Sequence, residues 1–173
     1  MADGRGPATE IGVSELNRFA CWVLLAGLMP AAGCDSSLSE EKGQAPGSVV
    51  TPRETWRATG DVQNPGFAID GSLATAAVAG GSYDNASITI DLGKACLFNL
   101  IQIEHGPDEQ GYARRVSVLI SLDGEKFERI REVPGTRKVT SISLITPTLG
   151  RYIRLQASIA GSQPWSIAEI VIH

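Results

Sequence analysis

The side chains best suited to chemistry lie in one stretch, His105-Gly106-Pro107-Asp108-Glu109-Gln110-Gly111-Tyr112-Ala113-Arg114-Arg115. It sets an imidazole, a phenol, two guanidinium groups and two carboxylates between segments of alternating apolar residues, where loops gather functional groups. A guanidinium fork suits paired oxygens, and an aromatic ring packs on apolar C–H faces. The chemistry on offer is therefore recognition by hydrogen bonds. The alternative is an ordinary solvated hairpin in which Arg114 and Arg115 pair with Asp108 and Glu109. Catalysis has little to stand on. The domain holds only His105 and the terminal His173. There is no G-x-S-x-G elbow, no H-E-x-x-H and no Gly-rich phosphate loop ahead of a helix. Asp108 and Glu109 are neighbours in sequence, with nothing to set them across a cleft. A non-enzyme is expected.

Composition narrows the field further. The 173 residues are 43% hydrophobic and 20% charged, which suits one folded domain with appendages. A net charge of −4 leaves no basic footprint for nucleic acid. Nineteen Gly and nine Pro favour many turns and short strands over long helices.

The elements that must position these groups read as strands from Val49 onward. Ile88-Thr89-Ile90-Asp91-Leu92 alternates, as do Ile101 and Ile103, then Val116, Val118 and Ile120. Ile153, Leu155 and Ala157 share one face, and so do Ala168, Ile170 and Ile172. Asp123-Gly124 between Leu122 and Phe127 marks a hairpin, because Gly tolerates the positive φ of such a turn. Short antiparallel strands with one apolar face make a sandwich or barrel. Trp56 is assigned to the core, and Cys96 to a buried free thiol.

The N-terminal third reads as an address. Phe19–Met29 is an uncharged apolar run preceded by Arg18, too short for a spanning helix of ~20 residues. The small residues Ala31-Ala32-Gly33-Cys34 follow, so residues 1–33 read as an export signal. That ending resembles a bacterial lipobox, in which Cys34 becomes the lipidated first residue; ordinary secretory cleavage nearby is the alternative. Acidic Asp3, Glu10 and Glu15 sit where such signals are basic, which favours a start at the codon of Val13. Residues 34–48 hold too few apolar side chains for a core and read as a tether. The expected location is the bacterial cell envelope, periplasmic or at the cell surface, with a lipid anchor in the membrane.

Several motifs in residues 49–173 resemble discoidin domains, also called coagulation factor 5/8 type C domains, which include carbohydrate-binding module family 32. Phe67-Ala68-Ile69-Asp70-Gly71-Ser72-Leu73-Ala74-Thr75 resembles A-x-D-G-x-x-x-T. Ile88 to Lys94 resembles I-x-I-D-L-G-K, and Val118 to Phe127 resembles V-x-x-S-x-D-G-x-x-W. Arg151 to Leu155 and Trp165 to Ile170 resemble R-Y-V-R-L and W-S-I-A-E-I. The resemblance implies an all-β, eight-stranded antiparallel jelly-roll sandwich, galactose-binding-domain-like, with binding loops at one end.

It also implies two sites. Calcium takes six to eight oxygens, and the family often places such an ion where the first loop meets the last strand. Carried over, Asp70 and Glu169 would offer carboxylates, Thr75 its carbonyl and hydroxyl, and Phe67, Ser72 and Ala168 would complete the shell. The alternative is that Asp70 caps a turn, Asx-fashion, and Glu169 is a solvated strand residue. For carbohydrate, the resemblance points to loop-borne aromatic, Arg and His groups: His105, Tyr112, Arg114 and Arg115, with Tyr83 and Trp165. Trp165 is either a ligand platform or a structural ring beneath the last strand. The Trp expected after Thr75 is missing, with Ala77 in its place. The expected function is a non-catalytic module that binds carbohydrate. The alternative is a surface domain or adaptor that contacts protein or phospholipid.

Overall fold

The computed structural model describes residues 49–80 and 84–173. The signal, the tether, Cys34 and Tyr83 lie outside the described residues. Among these residues the chain forms nine strands and two single turns of 3-10 helix, Arg53–Thr55 and Pro65–Ile69. The strands are β1 (Arg57–Gly60), β2 (Val62–Gln63), β3 (Ala77–Ala79), β4 (Ser87–Glu104), β5 (Arg115–Ser121), β6 (Glu128–Pro134), β7 (Val139–Ile159), β8 (Ser166–Ile167) and β9 (Glu169–Ile172). All pairings are antiparallel. One sheet runs β1-β4-β7-β5-β6, with β9 also on β4, and a smaller one runs β2-β3-β8.

Two long strands extend what read as three short ones. The segments around Ile90 and Ile101 are one strand, β4, whose register on β7 shifts between Asp91 and Cys96 and again between Phe98 and Leu100. Gly93 takes φ +81 at the first shift, a conformation that costs glycine little. The two shifts cancel, so that both halves of β4 keep one antiparallel register on β7 (Ile90↔Ile153 and Ile101↔Ile142), with Cys96 to Phe98 displaced between them.

Alternation fills the core. Ile88, Ile90, Leu92, Ile101, Ile103, Val116, Val118, Ile153, Leu155 and Ile170 are all fully buried. Burying such a side chain contributes about 1.5–3 kcal/mol. Trp56 joins this cluster and ties its indole N–H to the Thr51 carbonyl at 3.0 Å. Cys96 is a buried free thiol. At the β5–β6 turn, Asp123 Oδ1 accepts the N–H groups of Glu125 and Lys126, and Gly124 takes φ +81. Those two N–H groups hold the Asp123 carboxyl below its ordinary range.

Candidate functional site

The expected recognition loop follows β4, and the structure divides its side chains among three environments. His105 is the first. It is fully buried, with Nδ1 2.7 Å from the Ser166 carbonyl and Nε2 3.1 Å from the Thr140 hydroxyl. A carbonyl can only accept, so Nδ1 carries the proton and Nε2 accepts from Thr140. Burial pushes the imidazole pKa down, opposed by the Ser166 carbonyl and Asp108. With no surface and both nitrogens engaged, His105 cannot be a ligand contact. It is a neutral strut between β8 and β7.

Tyr112 and Arg114 form the second environment. The Arg114 guanidinium lies 4.6 Å from the centre of the Tyr112 ring and hydrogen-bonds its hydroxyl. Tyr112 is largely covered, while Arg114 is exposed. Arg115 pairs with Glu132 across the β5–β6 ladder at 3.0 Å. The expected pairing of these arginines with Asp108 and Glu109 does not form. Glu109 instead faces Lys138 at 3.4 Å.

The third environment is a depression of about 590 Å³ lined by Leu73, Ala74, Glu104, Gly106, Pro107, Glu109, Lys138 and Val139. Sequence reasoning singled out none of these as binding residues, because three separate loops supply them. Leu73 is 51% exposed and Val139 36%, so two apolar side chains face solvent beside carboxylates. Gly106 fixes how the loops meet. It takes φ +69, and a Cβ there would lie 2.9 Å from the Ala168 Cβ and 3.2 Å from the Leu73 carbonyl oxygen. Gly106→Ala should therefore cost about 1–3 kcal/mol through the left-handed backbone and the clash. Thermal denaturation checks this, and an unchanged melting temperature would mean that the loops can part freely.

One further expected contact does not reach the surface. Trp165 is fully buried, which corrects its reading as a platform. Ala77, where a loop Trp was expected, is a fully buried strand residue opposite Ile167. A larger side chain there would enter the core and not meet a ligand.

The expected calcium residues come together at the junction of the first loop and β9. Glu169 Oε2 accepts the Gly71 N–H at 2.8 Å across 98 residues of sequence. Asp70 Oδ1 accepts the Ser72 N–H at 2.8 Å, and Oδ2 accepts the Thr75 hydroxyl at 2.7 Å. The remaining oxygen, Glu169 Oε1, lies 2.8 Å from Arg53 Nη1. That contact is an ion pair without aligned hydrogen-bond geometry, for Oε1 has no hydrogen-bond partner. Burial pushes the Glu169 carboxyl up, while Arg53 and the Gly71 N–H pull it down. Phe67 belongs to the second 3-10 turn, and Ala168 is buried with its N–H on the Glu104 carbonyl. Among the described residues no group of three or more His, Cys, Asp or Glu side chains converges. As arranged, the locus does not fit a calcium ion. All four carboxylate oxygens already face a donor or cation of this chain.

Residues 48–170 match the family model of the F5/8 type C domain. The chain belongs to that family. This F5/8 type C domain shares its fold with carbohydrate-binding modules. The CBM32-5 module of a Clostridium perfringens GH89 protein, solved with GalNAc-beta-1,3-galactose, is 21% identical, with a TM-score of 0.65 over 70% of this chain and 96% of that one. The family 32 module of C. perfringens NanJ, solved with galactose, is 20% identical, with a TM-score of 0.64 over 72% and 97%. Chitosan-binding module 1 of a Paenibacillus chitosanase/glucanase is 19% identical, with a TM-score of 0.58 over 68% and 93%. A search of curated proteins gives no match.

Proposed function

We propose that this F5/8 type C domain is a carbohydrate-binding module of the bacterial cell envelope, held at the membrane by lipid on Cys34. The observation that carries the carbohydrate class is the family match over residues 48–170, in a fold whose solved neighbours are complexed with galactose and GalNAc-beta-1,3-galactose. The lipobox-like Ala31-Ala32-Gly33-Cys34 after an apolar run supports the anchor.

The sugar sits in the depression between Leu73 and Val139. Leu73, Pro107 and Val139 give its C–H face an apolar floor. Glu104 and Glu109 accept hydrogen bonds from hydroxyls, and Lys138 donates one. Calcium has no part in this reading, because the first loop is already tied to β9 by protein donors.

Titration calorimetry against galactose-, GalNAc- and glucosamine-containing oligosaccharides tests it. Glu104→Ala and Leu73→Asp should each weaken binding about tenfold or more, equivalent to ~1.4 kcal/mol, with the melting temperature preserved. A wild-type chain that binds no glycan in the panel overturns the function. Binding that survives both substitutions overturns the site.

A further inference from the structure

We propose that Arg53 is the resident cation of the loop–β9 junction, so that its guanidinium does there what calcium was expected to do. Arg53 lies in the 3-10 turn just before β1, and Glu169 opens β9. The Glu169 side chain is 5% exposed and that of Arg53 31%, so the pair is shielded on the carboxylate side. An unpaired carboxylate so deeply buried would be strongly destabilising, and a positive charge beside it offsets that cost. The guanidinium also lies 6.0 Å from the centre of the Trp56 ring, and the bare Gly71 leaves it room, since a Cβ there would stand 3.6 Å from its Nη1. Gly71 takes φ +82, turning its own N–H toward Glu169 Oε2.

The guanidinium joins the turn before β1 to β9, and the other oxygen of the same carboxylate ties in the first loop through the Gly71 N–H. Calcium and Arg53 are alternatives at this place. An ion bound to Glu169 Oε1 would stand against a fixed positive charge and would have to expel it. Two carboxylates and one guanidinium also leave little negative charge to attract a second cation.

Heating the full chain in chelator and in millimolar calcium tests the proposal. The wild-type melting temperature should be the same in both, and calorimetry should show no calcium affinity tighter than about 1 mM. Arg53→Met should melt several degrees lower in chelator and should gain at least tenfold in calcium affinity, because Glu169 is then free to bind the ion. Arg53→Lys should keep most of the stability and stay indifferent to calcium. A wild-type chain that loses stability on chelation, or binds calcium at micromolar concentration, overturns the proposal. So does an Arg53→Met chain that melts like wild type, or one that is weakened without gaining calcium affinity. If Arg53→Met does not fold, the wild-type titration and Arg53→Lys still decide. Glycan binding by the wild-type chain is measured separately, so failure here leaves the carbohydrate reading standing.

Discussion

Trp165→Ala should lower the stability of the domain by about 3–5 kcal/mol, the range for removing a large aromatic side chain from a packed core. Trp165 is fully buried, and its carbonyl accepts the Ala79 N–H at 2.8 Å. The ring therefore sits where the smaller sheet closes on the chain entering β8. Among the described residues its indole N–H has no hydrogen-bond partner. A buried donor left unpaired is itself unfavourable by about 1–3 kcal/mol. Trp165→Phe consequently discards a liability along with some volume and should cost much less than the alanine change. Urea denaturation of both variants checks the pair. A loss below about 1 kcal/mol for Trp165→Ala would mean that the ring is not in the core.

His105→Ala should cost about 2–4 kcal/mol, since it opens buried space and removes the imidazole N–H from the Ser166 carbonyl, while the Thr140 hydroxyl keeps its bonds to Thr136. It should also change the response to acid. The folded-state pKa of His105 is lowered, mainly by burial, so the unfolded chain binds the proton more readily. The His105 contribution is thus fully present above the unfolded value near 6.5 and is lost as pH falls from there through the folded value. Glu169 works the other way. Its raised folded pKa means that its deprotonation weakens the fold as pH rises through that value. Comparing wild type with His105→Gln removes the Glu169 contribution from the difference. Melting temperatures between pH 7.5 and 5 should fall less steeply in His105→Gln, and parallel curves would show that His105 is not buried neutral.

The strands were legible because alternation is local. Ile88, Ile90 and Leu92 announce a buried face from five consecutive residues, and the structure buries all three. The Asp123-Gly124 turn was legible for the same reason. Alternation does not say where a strand continues across a bulge, so β4 read as two pieces and only the end of β7 was read at all. The site was less legible because its contacts span the chain. His105 looked like a ligand group in its polar loop, yet its partners lie 61 and 35 residues away and close over it. Arg53 drew no notice, since it stands in no motif and its carboxylate partner comes 116 positions later, at residue 169. Leu73, Glu104 and Val139 carry no signal singly. Only the closed sandwich makes them neighbours.

The polypeptide enters and leaves the sandwich at one corner. Val49, Val50 and Thr51 share a shallow surface with Val171, Ile172 and His173, and the His173 N–H bonds the Leu100 carbonyl. Glu104, at the depression, lies four residues further along β4, roughly 13 Å away at 3.3 Å per residue. Both ends of the described domain therefore meet on one patch, set apart along β4 from the depression at Glu104.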